Sequence, residues 1–314
     1  MNRGGWIAWA VVVLLLAALV PHTVTARTVV INSGDWIDVY SGMLYARMLS
    51  EPSRFLTSKR YVTILPEVIP PGESIVLFES ERVPYVPNLA ARIQKQKYAV
   101  HTVRSSSGFG LNLALARELN ATRFIIVDPT YGFNAVSVAP YAVLTNAFVI
   151  FVDGNNKDQV RSFLALQPRI DNLLIYGDVA EDVAEEFQRF SPERINTGNR
   201  YNDNADILKQ YFAKNPKANQ IIIADGTFLE QQLLGGEPVA LVGKGRFVNP
   251  DTVAVIKNSP VRTGVVIGND LTRSARQVKE ATGISLFLKV GQGIPTGTAE
   301  YEPLKALDMF FLPT

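Results

Sequence analysis

The chain has 314 residues, 47% hydrophobic and 19% charged, which suits a large packed core and excludes a disordered chain. Thirty-one Lys and Arg against 29 Asp and Glu leave a formal charge of +2, without the basic footprint that tracks nucleic acid. Cysteine is absent and the histidines are His22 and His101 alone, which excludes disulfides, thiol catalysis and zinc sites built from cysteines or histidine clusters.

Arg3 precedes an uninterrupted apolar run from Trp6 to Val20, short for a spanning helix of about 20 residues. Pro21 ends the run, and Val24-Thr25-Ala26 offers a small-residue cleavage site. This pattern predicts a secretory signal peptide over residues 1–26, with an uncleaved N-terminal anchor as the alternative. Cleavage removes His22 and leaves His101, too little for a triad without a well-placed base or for a histidine metal cluster.

Beyond it the chain repeats. Short Val- and Ile-rich runs begin at Val29, Ile125 and Ile221, a constant spacing of 96 residues. Each leads through a polar turn into an amphipathic stretch: Trp36–Ala46, Gly132–Ala142 and Phe228–Gly236. A second apolar run follows at 54–57, 147–153 and 238–242. A third follows at 75–78, 173–176 and 265–267, each succeeded by a helical pattern over 86–97, 179–190 and 271–282. Such alternation predicts βαβ units with right-handed crossovers. The fold class is therefore α/β: three tandem βαβ-rich repeats with mostly parallel sheets. The expected organisation is a signal peptide 1–26, repeat modules 27–123, 124–218 and 219–290 (the last truncated), and a Pro- and Gly-containing tail 291–314. Residues 58–74 read as a Pro-rich insertion into the first module.

The middle period carries Ala139-Pro140-Tyr141-Ala142, then Ile175-Tyr176-Gly177, then Arg194-Ile195-Asn196-Thr197-Gly198-Asn199-Arg200-Tyr201. In that order these resemble the cell wall-binding repeat 2 (CWB2-type) family of Gram-positive and archaeal surface and S-layer-associated proteins. There, a turn aspartate, a Pro-Leu-Ala helix end, an Ile-Val-Gly strand end and an Arg-Ile-x-Gly-x-Asn-Arg-Tyr segment follow one another. Asn134 and Asp38 stand where the family has its turn aspartate. The flanking copies depart from the pattern: Gly108-Phe109 replaces Arg-Tyr in the first, and the third lacks that segment. The resemblance implies three copies around a pseudo-threefold axis. It also implies a non-enzymatic, exported cell-surface module that binds an anionic envelope polymer or surface glycan, with other surface-layer proteins as further candidate partners and no cofactor. A periplasmic-type solute-binding protein and a carboxylate-based secreted glycan hydrolase are the alternatives.

Candidate ligand-binding residues follow from position. Asp38, Asn134 and Glu230 share one phase of the repeat, just past a strand's C-terminal end, where open α/β sheets bind ligands. They either cap helices and fix turns or form one polar ring. Asn199, Arg200 and Tyr201 follow a Gly turn. The Arg fork suits a carboxylate or phosphate, and the alternative for Arg200 is an ion pair with a neighbouring module. Gly243-Lys244-Gly245 lacks the rest of a phosphate loop and reads as a turn, with Asn249-Pro250-Asp251 starting a helix. His101 reads as a structural strand residue. Glu181, Asp182, Glu185 and Glu186 read as a solvated helix face. Asn120-Ala121-Thr122 is an N-glycosylation sequon between a helix and a strand. No catalytic or metal-ligating residue is expected.

Overall fold

The fold is a computed structural model that describes residues 27–57, 65, 67–106, 108–229, 231–243, 245–268, 270–289 and 293–296. The segment 1–26, Glu230, Lys244 and the tail beyond Thr296 lie outside the described residues.

The first sheet comprises β1 (Arg27–Asn32), β2 (Ser53–Phe55), β3 (Ser74–Ser80) and β4 (Ala99–Ser105). Helices α1 (Trp36–Met48), α2 (Leu89–Lys95) and α3 (Gly108–Glu118) accompany it. The second contains β5 (Arg123–Val127), β6 (Phe148–Phe151), β7 (Asn172–Tyr176) and β8 (Glu193–Ile195). With it run α4 (Gly132–Thr145), α5 (Lys157–Ala165), the single turn α6 (Glu181–Ala184) continuing as a 3-10 segment Glu185–Phe190, and α7 (Arg200–Lys214). The third is built from β9 (Gln220–Ala224), β11 (Val239–Leu241), β12 (Thr263–Ile267) and β13 (Ser285–Lys289), with α8 (Pro250–Lys257) and α9 (Thr272–Thr282). A small antiparallel pair joins β10 (Phe228–Leu229) to β14 (Ile294–Pro295).

All three four-stranded sheets are parallel and share one order: β2-β1-β3-β4, β6-β5-β7-β8 and β11-β9-β12-β13. Val29, Ile125 and Ile221 thus lie on equivalent strands. Both faces of these strands are covered, which is why they read as continuous apolar runs instead of alternating ones. Val29 and Ile31 face a core shared by all three repeats. Val30 and Leu77 face a separate outer core under α2, and Ile221, Ile223 and Val266 face another under α8 and α9.

The centre is made by the first element after each leading strand. In α1 every residue from Trp36 to Ala46 is buried, and in α4 every residue from Gly132 to Ala142 except Asn134 is buried. A helix that is apolar all round belongs inside a core. Side chains such as Tyr40, Met43 and Leu44, each no more than 1% exposed, contribute about 1.5–3 kcal/mol apiece. These two helices touch each other and the 3-10 segment Gln231–Leu234, so the equivalent positions of three repeats meet pairwise, as a pseudo-threefold arrangement requires. The Tyr40 hydroxyl donates to the Ala135 carbonyl at 3.0 Å across this junction.

The last helix of each complete repeat pins the next one. On α3, Asn112 Nδ2 donates to Val149 O (2.9 Å) and Ser41 Oγ (2.9 Å), while its Oδ1 accepts from Phe151 N (3.3 Å). On α7, Asn204 Nδ2 donates to Val239 O (2.8 Å) and Ser137 Oγ (2.7 Å), and its Oδ1 accepts from Leu241 N (3.0 Å). Both asparagines are buried and each satisfies one edge of the following sheet. No such helix follows β13 among the described residues, and there Phe287 and Leu288 stand 64% and 60% exposed.

Several expectations are corrected. Much of the stretch read as an insertion, residues 58–64 and 66, lies outside the described residues. Residues 56–73 separate β2 from β3, an interval similar in length to 152–171 and 242–262 in the other two repeats. The amphipathic stretch at 228–236 is a two-residue strand and a 3-10 segment, too short to continue as a helix before Gly235-Gly236. The helix over 179–190 is one α turn followed by 3-10 geometry. Its acids are not simply solvated: Glu181 pairs with Arg194, Asp182 with Lys157 and Glu186 with Arg161. Pro140 lies within α4, which runs on to a left-handed cap at Asn146. Asn249 caps α8, accepting from Asp251 N at 2.8 Å, with Pro250 in the first turn, as the sequence indicates.

Candidate functional site

A cleft of about 410 Å³ opens at the C-terminal ends of β5 and β7. Ligands favour this side of a parallel sheet because loops and helix N-termini converge there. The starts of α4 and α7 both contribute. From β5 comes Asp128, whose Oδ1 accepts from Thr130 N at 2.8 Å, and from the end of β7 comes Asp178, which is exposed. The start of α4 supplies Tyr131, Phe133 and Asn134, and the start of α7 supplies Asn199, Arg200 and Asp203.

Each side chain has a distinct environment. Gly177, at φ +78°, passes so close to Asn134 that an added Cβ would lie 2.4 Å from its Nδ2. The glycine lets Asn134 lie across the backbone, where its buried Oδ1 has no hydrogen-bond partner. Arg200 places its guanidinium carbon 4.5 Å from the Phe133 ring centre and 5.8 Å from that of Tyr131. Asn199 caps α7, its Oδ1 accepting from Tyr201 N at 2.9 Å. Asp203 is 1% exposed, its Oδ1 accepts from Thr197 N at 2.6 Å, and burial raises its pKa above the usual carboxylate range.

Of the residues singled out by sequence, Asn134, Asn199 and Arg200 therefore come together. Tyr201 does not join them: its ring lies against Gly243 of the third repeat, with ring carbons 3.3 and 3.4 Å from where a Cβ there would be. The module contact foreseen for Arg200 is thus made by Tyr201, while Arg200 stacks on rings of its own repeat.

Asp38 occupies the position of Asn134 in the first repeat, but there it is closed off from solvent. The Gly34 N–H donates to Val83 O at 2.8 Å and draws the 80–88 loop across that strand end. Asp38 is 1% exposed, and its Oδ2 accepts from Ser33 Oγ at 2.8 Å while Oδ1 has no partner. It does not cap α1; Asp35 does. Burial pushes the Asp38 carboxyl up to about 6, with the Asp35 charge adding to the rise and the nearby Ser33 and Ser80 hydroxyls opposing it. Asp38 bonds to Ser33 and Asn134 lies against Gly177, each within its own repeat. Glu230, the third of the set, lies outside the described residues.

Asp128, Tyr131, Phe133, Asp178 and Asp203 were not singled out from sequence. Asp128 and Asp178 each come just after a leading or third strand of the same repeat, which is the signal that would have found them. Asn120 is exposed at the end of α3 with φ 48°, and His101 is exposed on β4. A second hollow of about 440 Å³, lined by Arg47, Val143, Tyr211 and Gly236, lies at the seam of the three repeats. There the Tyr211 hydroxyl closes onto Gly236 O at 2.7 Å. Among the described residues no three His, Asp or Glu side chains are grouped to hold a metal ion, and no helix is long and apolar enough to cross a membrane.

Neither protein-family models nor curated proteins gave a match to this sequence. Among solved structures the fold is similar to the cell wall protein Cwp8 from Clostridium difficile, at TM-score 0.64 and 16% identity over 82% of this chain and 48% of that one. It is also similar to Cwp6 from the same organism, at TM-score 0.56 and 10% identity over 84% of this chain and 54% of that one. The chain thus spans about half the length of these proteins. At this identity the likeness is one of fold: three parallel α/β repeats, seen also in cell wall proteins.

Proposed function

We propose that this chain is an exported, non-enzymatic surface module that holds a polymer of the cell envelope in the cleft at the ends of β5 and β7. The observation that carries the reading is the convergence there of an aromatic pair, one guanidinium, an unsatisfied amide oxygen and carboxylates, on a fold shared with cell wall proteins. A leader over residues 1–26 fits the same location. A binding role fits the carboxylates better than hydrolysis does. Asp203, whose pKa burial raises, is committed to Thr197, so it is poorly placed to pass a proton to a ligand. Three sheets of one order also fit a repeat module better than a two-lobed solute receptor.

The test is sedimentation of the purified protein with isolated envelope material. Arg200→Ala should reduce binding and leave the melting temperature near that of the parent. Tyr201→Ala should do the reverse, because its ring packs on the third repeat. Equal binding by parent and Arg200→Ala would remove the cleft from the polymer site.

A further inference from the structure

We infer that the unit recognised in this cleft is a neutral sugar with free hydroxyl groups, not a phosphate- or carboxylate-bearing one. The inference rests on the reading of the cleft as the polymer site and names what that site selects.

Three observations lead to it. First, the cleft holds Asp128, Asp178 and Asp203 against the single guanidinium of Arg200. An ionised carboxylate only accepts hydrogen bonds. An anionic unit would meet like charge at Asp128 and Asp178, whereas a hydroxyl can donate to either. Second, Asn134 Oδ1 is buried without a partner. Buried acceptors of this kind call for a donor, and a sugar hydroxyl brought to the cleft supplies one. Third, Arg200 is not presented as an anion fork. Its guanidinium stacks on the buried Phe133 ring, and the neighbouring Tyr131, 38% exposed and tilted 47° to Phe133, leaves one aromatic face for the C–H face of a sugar ring. The volume of about 410 Å³ lies within the range of small-ligand sites.

The experiment uses envelope polysaccharide separated by anion exchange into neutral and acidic fractions, titrated calorimetrically into the full chain. The neutral fraction should bind, with affinity changed less than about twofold between low and high salt, since no ion pair is screened. Asp178→Asn and Tyr131→Ala, both at exposed positions, should each weaken it by about tenfold, the first through a lost charge-assisted hydrogen bond and the second through the lost ring contact. Binding confined to the acidic fraction, lost in high salt and strengthened by Asp178→Asn, would overturn the sugar assignment while leaving the polymer-binding function standing. Binding of neither fraction would overturn both.

Discussion

Replacing Asp38 by Asn should stabilise the protein near neutral pH, and the gain should disappear in acid. Asp38 is 1% exposed, one oxygen accepts from Ser33 and the other has no partner. Its carboxyl is pushed up to about 6 from an ordinary 3.8. Between those values the folded protein binds a proton that the unfolded chain has released. Stability from this group therefore falls as pH rises through the window, and the loss is complete above the folded value. At 1.36 kcal/mol per pH unit the penalty at neutral pH is about 3 kcal/mol. The second repeat already holds the neutral isostere, Asn134, at the equivalent place. The assay is denaturant unfolding of parent and Asp38→Asn from pH 4 to pH 8, read as their difference so that other titrating groups cancel. The variant should gain up to about 3 kcal/mol at pH 8, or roughly 5–10 °C in melting temperature, shrinking toward zero near pH 4. A difference that is flat with pH, or a variant less stable throughout, would refute the argument that Asp38 is charged and under-solvated in the folded state.

Asn204→Leu should destabilise by about 3 kcal/mol or more, because it strands the Val239 carbonyl and the Leu241 N–H in the core; Asn112→Leu should behave alike through Val149 and Phe151, and thermal melts of both check this. Gly177→Ala should lower stability by about 1–2 kcal/mol through its left-handed backbone alone and should also weaken polymer binding, since its Cβ would displace Asn134. The parent should show no turnover on glycan and ester panels; a turnover abolished by Asp178→Asn would replace the binding role with a hydrolytic one.

The repeat itself was legible in the chain. The 96-residue spacing of Val29, Ile125 and Ile221 places them on equivalent strands, because a parallel strand buried on both faces leaves an unbroken apolar run. Local chemistry also spoke for itself at Asn249-Pro250, where an amide cap and a pre-set backbone angle start α8. The ends of amphipathic stretches were less legible: at 228–236 glycine and a short strand pairing override a helical pattern. The site was half visible. Asn134, Asn199 and Arg200 could be named from the phase of the repeat, but their neighbours Asp128 and Asp178 end strands about 50 residues apart, and only the parallel pairing of β5 with β7 brings them together. Nor could sequence separate Arg200 from Tyr201. Consecutive residues on a helix point about 100° apart, so one turns into the cleft and the other onto Gly243, and which does which is fixed by where the third repeat docks. The equivalence of Asp38 with Asn134 was correct in position and misleading in role, because the 80–88 loop closes the first repeat's strand end and leaves the second open.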